Sequence, residues 1–112
     1  MKINERMIGD VAVLEVSGKL LGGPPGSQDF KNKIYELIDK KINKVVVDLS
    51  EVKRMNSSGL GILISALTSL KNHDGTMKLA SVGETMEGIL IMTKLNTIFE
   101  TYETAEGAAQ SF

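Results

Sequence analysis

The chain of 112 residues contains no cysteine and no tryptophan, and it has a single histidine. The lack of cysteine excludes disulfide bonds and thiolate chemistry. The histidine, His73, stands in a turn-like His-Asp-Gly stretch without a neighbouring cluster of metal ligands, so the sequence predicts no metal site. A serine nucleophile needs a base, and no G-x-S-x-G elbow occurs. We therefore expect no catalytic residue, no enzyme activity and no cofactor.

The chain also lacks an excess of either charge and long apolar runs. Lysine and arginine number 13 against 14 aspartates and glutamates, for a formal net charge of −1. No basic stripe calls for nucleic acid, and no stretch approaches the ~18 apolar residues of a membrane span. The first ten residues lack the apolar segment of a signal peptide. These absences predict a cytoplasmic protein that binds neither nucleic acid nor membranes directly.

What is present is enough apolar surface for one core. Residues with apolar side chains make up 42% of the chain, and no tract is polar enough to resist folding. A chain of this length has room for one domain. We therefore expect a single domain over residues 1–112.

The pattern of apolar residues predicts the element order ββαβαβαβα. Alternating or β-branched runs predict strands at Lys2–Ile8, Val11–Val16, Val45–Asp48, Met77–Ala80 and Ile98–Tyr102. Helical spacing follows Ser27, Asn56, Gly83 and Thr104. The Gly/Pro-rich stretch Lys19–Gly26 and the aperiodic stretch Leu49–Met55 are predicted to be loops. The fold class is therefore α/β, a mixed but mostly parallel sheet backed by helices, with Val45–Asp48 at its centre.

The stretch Lys44–Leu70 carries the strongest local pattern. Three consecutive valines predict a buried strand, and Asn56-Ser57-Ser58-Gly59 offers three good helix-capping residues in a row. One helical face then follows, formed by Leu60, Leu63, Ile64, Leu67 and Leu70. The start of a helix has unpaired N–H groups and the positive end of the helix dipole. A phosphate on either serine would be stabilised there.

The segment VVVDLSEVKRMNSSGLGIL resembles the signature of the STAS domain, the fold of bacterial anti-sigma factor antagonists. In that family a strand ends in Asp-Leu, and Asp-Ser-Ser-Gly-Leu-Gly opens the next helix. The positions that match here are Asp48, Leu49, Ser57, Ser58, Gly59, Leu60 and Gly61. The serine before the glycine is the family's phosphorylation site, which implies Ser58. The chain departs from the pattern at Asn56, where the family most often has aspartate.

The resemblance implies a protein-binding switch. The unphosphorylated protein would bind an anti-sigma factor that is also a serine kinase, and so release a sigma factor. Phosphorylation of Ser58 would end this binding, and a phosphatase would restore it. The implied partner-binding residues are Asn56, Ser57, Ser58, Gly59, Leu60, Ile62 and, in the loop before the first helix, Gly22 and Gly23.

Two alternatives stay open on the sequence. The replacement of the family aspartate by Asn56 allows a STAS scaffold or accessory subunit that is never phosphorylated. The glycines of Gly59-Leu60-Gly61 allow a small-ligand or nucleotide-binding module, although Ile64 stands where a dinucleotide loop needs its third glycine.

Overall fold

The computed structural model describes residues 2–21 and 26–112. In these residues the strands are β1 (Lys2–Ile8), β2 (Val11–Leu20), β3 (Lys44–Met55), β4 (Thr76–Ala80) and β5 (Thr101–Tyr102). The helices are α1 (Gly26–Asp39), α2 (Ser57–Lys71), α3 (Glu84–Met92) and α4 (Ala105–Gln110), with a short 3-10 helix at Leu95–Thr97. None of these helices is long and apolar enough to cross a membrane.

The strands of the described residues form one sheet in the order β1-β2-β3-β4-β5. β1 runs antiparallel to β2, and the remaining neighbours are parallel. Val45, Val46 and Val47 are all fully buried. A strand that is buried on both faces needs apolar residues at every position, which is why the valine run marks the centre of the sheet. The predicted α/β class and the central position of this strand are confirmed.

The two faces of the sheet are covered differently. On one face α1, α2 and α3 bury large side chains, among them Phe30, Ile34, Leu63, Leu70 and Leu90. On the other face α4 packs its three alanines against valines of the sheet. Thr104 caps α4 as predicted, because its Oγ1 accepts a hydrogen bond of 3.0 Å from the Gly107 N–H. The small side chains allow a short helix to lie close to the sheet.

Strands β2 and β3 extend beyond their predicted ends. We expected β2 to end after Val16 and Leu49–Met55 to be a loop, but the two strands stay paired as far as Leu20 and Met55. From Glu15↔Asp48 to Ser17↔Glu51, β3 advances by three residues and β2 by two. Such a bulge breaks the alternation by which a strand is recognised in a sequence. The loop prediction was therefore wrong.

The paired ends of β2 and β3 project past the rest of the sheet. β1 pairs with β2 only up to Ser17, and β4 pairs with β3 only up to Asp48. We call the remaining segments, Gly18–Leu20 and Val52–Met55, the β2–β3 ribbon. Because α2 begins at Ser57, two residues after Met55, the end of the ribbon determines where α2 starts.

The last third of the chain is less regular than predicted. The expected helix Glu84–Leu95 ends at Met92, and Lys94 adopts a left-handed conformation with φ of 61°. β5 spans only Thr101–Tyr102 instead of the expected Ile98–Tyr102. The Ile89 carbonyl at the end of α3 accepts from both the Thr93 N–H at 3.0 Å and the Thr93 hydroxyl at 2.7 Å.

Lys78 in β4 is a buried charge that the sequence pattern did not indicate. It is only 6% exposed, and its Nζ donates to the Ser111 hydroxyl at 2.7 Å and to the Ser111 carbonyl at 3.1 Å. The same atom lies 4.4 Å from the centroid of the Phe112 ring. A buried ammonium is tolerated where such partners replace its water. Lys78 therefore ties the residues after α4 to the sheet.

The orientation of α2 gives a stability prediction. Leu63 is fully buried, so Leu63→Ala should lower the free energy of unfolding by about 2–5 kcal/mol in urea denaturation. Ser65 lies exposed on the same helix, and Ser65→Ala should change it by less than about 0.5 kcal/mol. Equal losses for the two variants would mean that α2 turns another face to the sheet.

Candidate functional site

The start of α2 is capped by Asn56. Its backbone is extended, and its Oδ1 accepts a hydrogen bond of 2.9 Å from the Gly59 N–H. Its carbonyl accepts from the Leu60 N–H at 3.0 Å. Of the three capping residues in the sequence, the structure thus uses the first. Ser57, another of these three, is instead the first helical residue.

Ser57 and Ser58 lie exposed in the first turn of α2. Backbone N–H groups in this turn have no partner within the helix, apart from the one that Asn56 accepts. The Ser58 side chain borders a groove between α1 and α2 with a volume of about 380 Å³. The groove is lined by Ser27, Gln28, Phe30, Lys31, Ile34, Tyr35, Ser58, Gly61, Ile62, Ser65, Ala66 and Ser69.

The two glycines of the motif have different tasks. A Cβ on Gly59 would lie 1.8 Å from the carbonyl oxygen of Leu20, so no side chain fits there. Gly59 thus allows the end of β2 to touch the start of α2 through backbone atoms. A Cβ on Gly61 would meet no described atom within 4 Å. Gly61 therefore keeps the groove open beside Ser58.

The other predicted site residues lie at different depths. Leu60 is 2% exposed and packs in the core, so it anchors the start of α2. Ile62, one of the implied partner-binding residues, is half-buried and packs against the core while bordering the groove. Gly22 and Gly23 lie outside the described residues. The structure thus places Ser58 and Ile62 at the groove, Asn56 and Ser57 exposed at the start of α2, and Gly59 and Leu60 buried.

The groove is lined mainly by small polar and apolar side chains. None of its described lining residues is aspartate, glutamate or histidine, so none can take a proton from Ser58 near neutral pH. Lys31 is the charged residue of the lining, and it lies 5.7 Å from the ring centroid of Tyr35. The described residues hold no group of three metal-ligating side chains.

The ion pairs that lower carboxyl pKa values lie away from Ser58. The hydrogen bond from Lys44 lowers the pKa of Asp10, and the hydrogen bond from Lys40 lowers the pKa of Glu36. Asp10 lies in the β1–β2 turn and Lys44 at the first residue of β3, at the opposite end of that strand from Ser58. Neither pair includes a residue that lines the groove beside Ser58.

Fold and site together define a small α/β protein with an exposed serine at a helix start. The chain belongs to the STAS domain family, whose sequence model matches residues 2–108. The resemblance of the central motif is thereby confirmed.

Relatives of this chain carry the name of anti-sigma factor antagonists. A candidate anti-sigma factor antagonist of Thermotoga maritima is 28% identical over 106 residues, which cover 94% of this chain and 92% of the relative. A homologue from Thermotoga neapolitana is 32% identical over 82 residues, or 72% of this chain and 73% of that protein.

Solved structures share the fold. The crystal structure of a candidate anti-sigma factor antagonist from Thermotoga maritima is 26% identical, with a TM-score of 0.85 over 97% of this chain and 92% of that one. The phosphorylated form of the Bacillus cell fate determinant SpoIIAA has a TM-score of 0.76 over 98% of both chains. At 19% identity the latter likeness concerns the fold alone.

The contrast between the glycines can be measured. Gly59→Ala should lower the free energy of unfolding by roughly 3 kcal/mol, because the ribbon must move away from α2. Gly61→Ala should raise it by about 0.5–1 kcal/mol, since alanine favours the helix and the site is open. Thermal unfolding followed by circular dichroism compares the two. A Gly59→Ala protein as stable as wild type would contradict the close contact.

The cap gives a second stability prediction. Asn56→Ala should cost about 1 kcal/mol, because the Gly59 N–H loses its acceptor. Asn56→Asp keeps an acceptor oxygen and adds a negative charge at the helix start, so its stability at neutral pH should equal that of wild type or exceed it by about 0.3–1 kcal/mol. Chemical denaturation distinguishes the variants. An aspartate variant as weak as the alanine variant would exclude capping by this side chain.

Proposed function

We propose that this STAS domain is an anti-sigma factor antagonist controlled by phosphorylation of Ser58. In the unphosphorylated state it binds an anti-sigma factor that is also a serine kinase, and a sigma factor is released. Phosphorylation of Ser58 ends the complex, and a phosphatase restores it. In this proposal the chain acts as one domain in the cytoplasm and is itself no enzyme.

The observation that carries the proposal is that the Ser58 hydroxyl is not needed to form the start of α2. The helix cap is supplied by Asn56 and the backbone contact by Gly59, so the Ser58 hydroxyl is needed for neither. It lies exposed at the edge of the groove between α1 and α2. A kinase can therefore reach this hydroxyl without unfolding the domain.

The folded domain can accept the phosphate. Phosphorylation adds about −1.5 to −2 charges, and a negative group at a helix start is stabilised by free N–H groups and the helix dipole. The motif most often has aspartate where this chain has Asn56, which is uncharged and two residues from the acceptor. One source of repulsion against the phosphate is therefore absent, while the cap is kept.

The bound partner cannot accept the phosphate in the same way. In an interface that excludes water, an added charge without a partner is costly. A loss of about 3 kcal/mol corresponds to ~100-fold in affinity, which is enough for a switch. We assign the contacts to Asn56, Ser57, Ser58 and Ile62, with Gly59 and Leu60 supporting them from below. A contribution by Gly22 and Gly23 stays a prediction.

The test uses purified serine-kinase anti-sigma factors from the source genome, each incubated with this protein and ATP. Mass spectrometry should locate the phosphate on Ser58. Ser58→Asp should weaken kinase binding in calorimetry by at least about tenfold, because aspartate carries less charge than phosphate. Ser57→Ala should bind and be phosphorylated like wild type.

Thr68→Asp is the matched control, since it adds the same charge to an exposed site of α2 outside the groove. It should bind like wild type, and circular dichroism should show all variants folded. Phosphate on Ser57 alone, or full affinity of Ser58→Asp, would refute the switch. Binding without any phosphorylation would favour the scaffold alternative.

A further inference from the structure

The β2–β3 ribbon carries three exposed basic side chains, Lys19, Lys53 and Arg54. Lys19 and Arg54 are direct partners across the two parallel strands. Adjacent strands lie about 5 Å apart, and like charges placed directly opposite each other destabilise a sheet. The chain thus keeps two cations side by side where an opposite pair would favour pairing of the strands.

Neighbouring acids do not neutralise these cations. The ion pairs of the described residues use other basic side chains, namely Arg6, Lys33, Lys40, Lys44 and Lys78. Glu84 borders the same surface groove as Lys53 and Arg54 but forms no ion pair with either of them. The end of the ribbon is therefore a locally positive surface on a chain whose formal net charge is −1.

This surface lies close to the proposed acceptor. Arg54 and Ser58 are four residues apart, and an extended chain of that length spans at most about 14 Å. An ordinary protein interface covers about 800 Å² on each partner, which corresponds to a patch about 30 Å across. One partner centred on Ser58 can therefore also cover the end of the ribbon.

We propose that Lys19, Lys53 and Arg54 form a docking surface for an acidic segment of the protein that binds around Ser58. This inference rests on the proposed function and adds the chemistry of the partner. The cations attract the acidic segment and speed the encounter. A phosphate on Ser58 would repel that segment and reduce the positive potential, which gives a second reason for release.

Charged side chains on a free strand edge can also prevent pairing between copies of one chain. That role makes a different prediction. If the cations serve only to protect the edge, their removal would cause self-association and leave partner binding of the monomer unchanged. Analytical ultracentrifugation of the variants therefore accompanies the binding measurement.

The experiment compares Lys19→Gln/Arg54→Gln with the control Lys41→Gln/Lys71→Gln. The control removes the same charge from exposed lysines at the other end of the domain. Association with the purified serine-kinase anti-sigma factor is followed by stopped flow at low and high salt. The ribbon variant should associate about tenfold more slowly than wild type at low salt. The difference should vanish near 1 M salt, where the Debye length is about 3 Å.

The control should stay within about twofold of wild type at every salt concentration and melt like wild type, and the ribbon variant should melt at the wild-type temperature or slightly above it. Equal rates and equal salt dependence for the ribbon variant and wild type would overturn this inference while the proposed function stands. Self-association of the ribbon variant with normal binding by its monomer would overturn it as well. If wild-type protein bound no serine-kinase anti-sigma factor, the proposed function would fail, and this inference with it.

Discussion

The contact between Gly59 and the Leu20 carbonyl is the constraint on which the site depends. A Cβ at residue 59 would lie 1.8 Å from the Leu20 oxygen and 3.1 Å from the Met55 side chain. Without a side chain, the start of α2 can lie directly against the end of the β2–β3 ribbon. The contact therefore fixes the position and direction of α2 relative to the sheet. The position of α2 in turn determines where the Ser58 hydroxyl lies.

In this motif, residues other than Ser58 make the contacts that hold the start of α2 in place. Asn56 caps the helix, Gly59 makes the close contact, and Leu60 enters the core. Domains of this size are stable by only about 5–15 kcal/mol, so a switch that disturbed any of these contacts would risk unfolding. The cap and the close contact do not use the Ser58 hydroxyl, which is what the proposed phosphorylation of Ser58 requires.

Both proposals concern the carboxyl end of the central strand, where binding surfaces of open α/β sheets usually lie. At that end β2 and β3 extend beyond β1 and β4 and form the β2–β3 ribbon, which carries exposed cations. One face of the sheet is covered by α4, and Lys78 holds the residues after α4 against it. The carboxyl end is thus left accessible while the rest of the core is covered.

The sequence by itself determined the features with the strongest local patterns. The valine run placed β3 at the centre, the leucine spacing placed the buried face of α2, and the motif around Ser58 identified the family. The tertiary structure decided what depends on contacts between distant residues. It separated the roles of Gly59 and Gly61 and half-buried Ile62. It also made Leu49–Met55 part of β3, because bulges hide strand alternation and pairing with β2 outweighs the local preference for a loop.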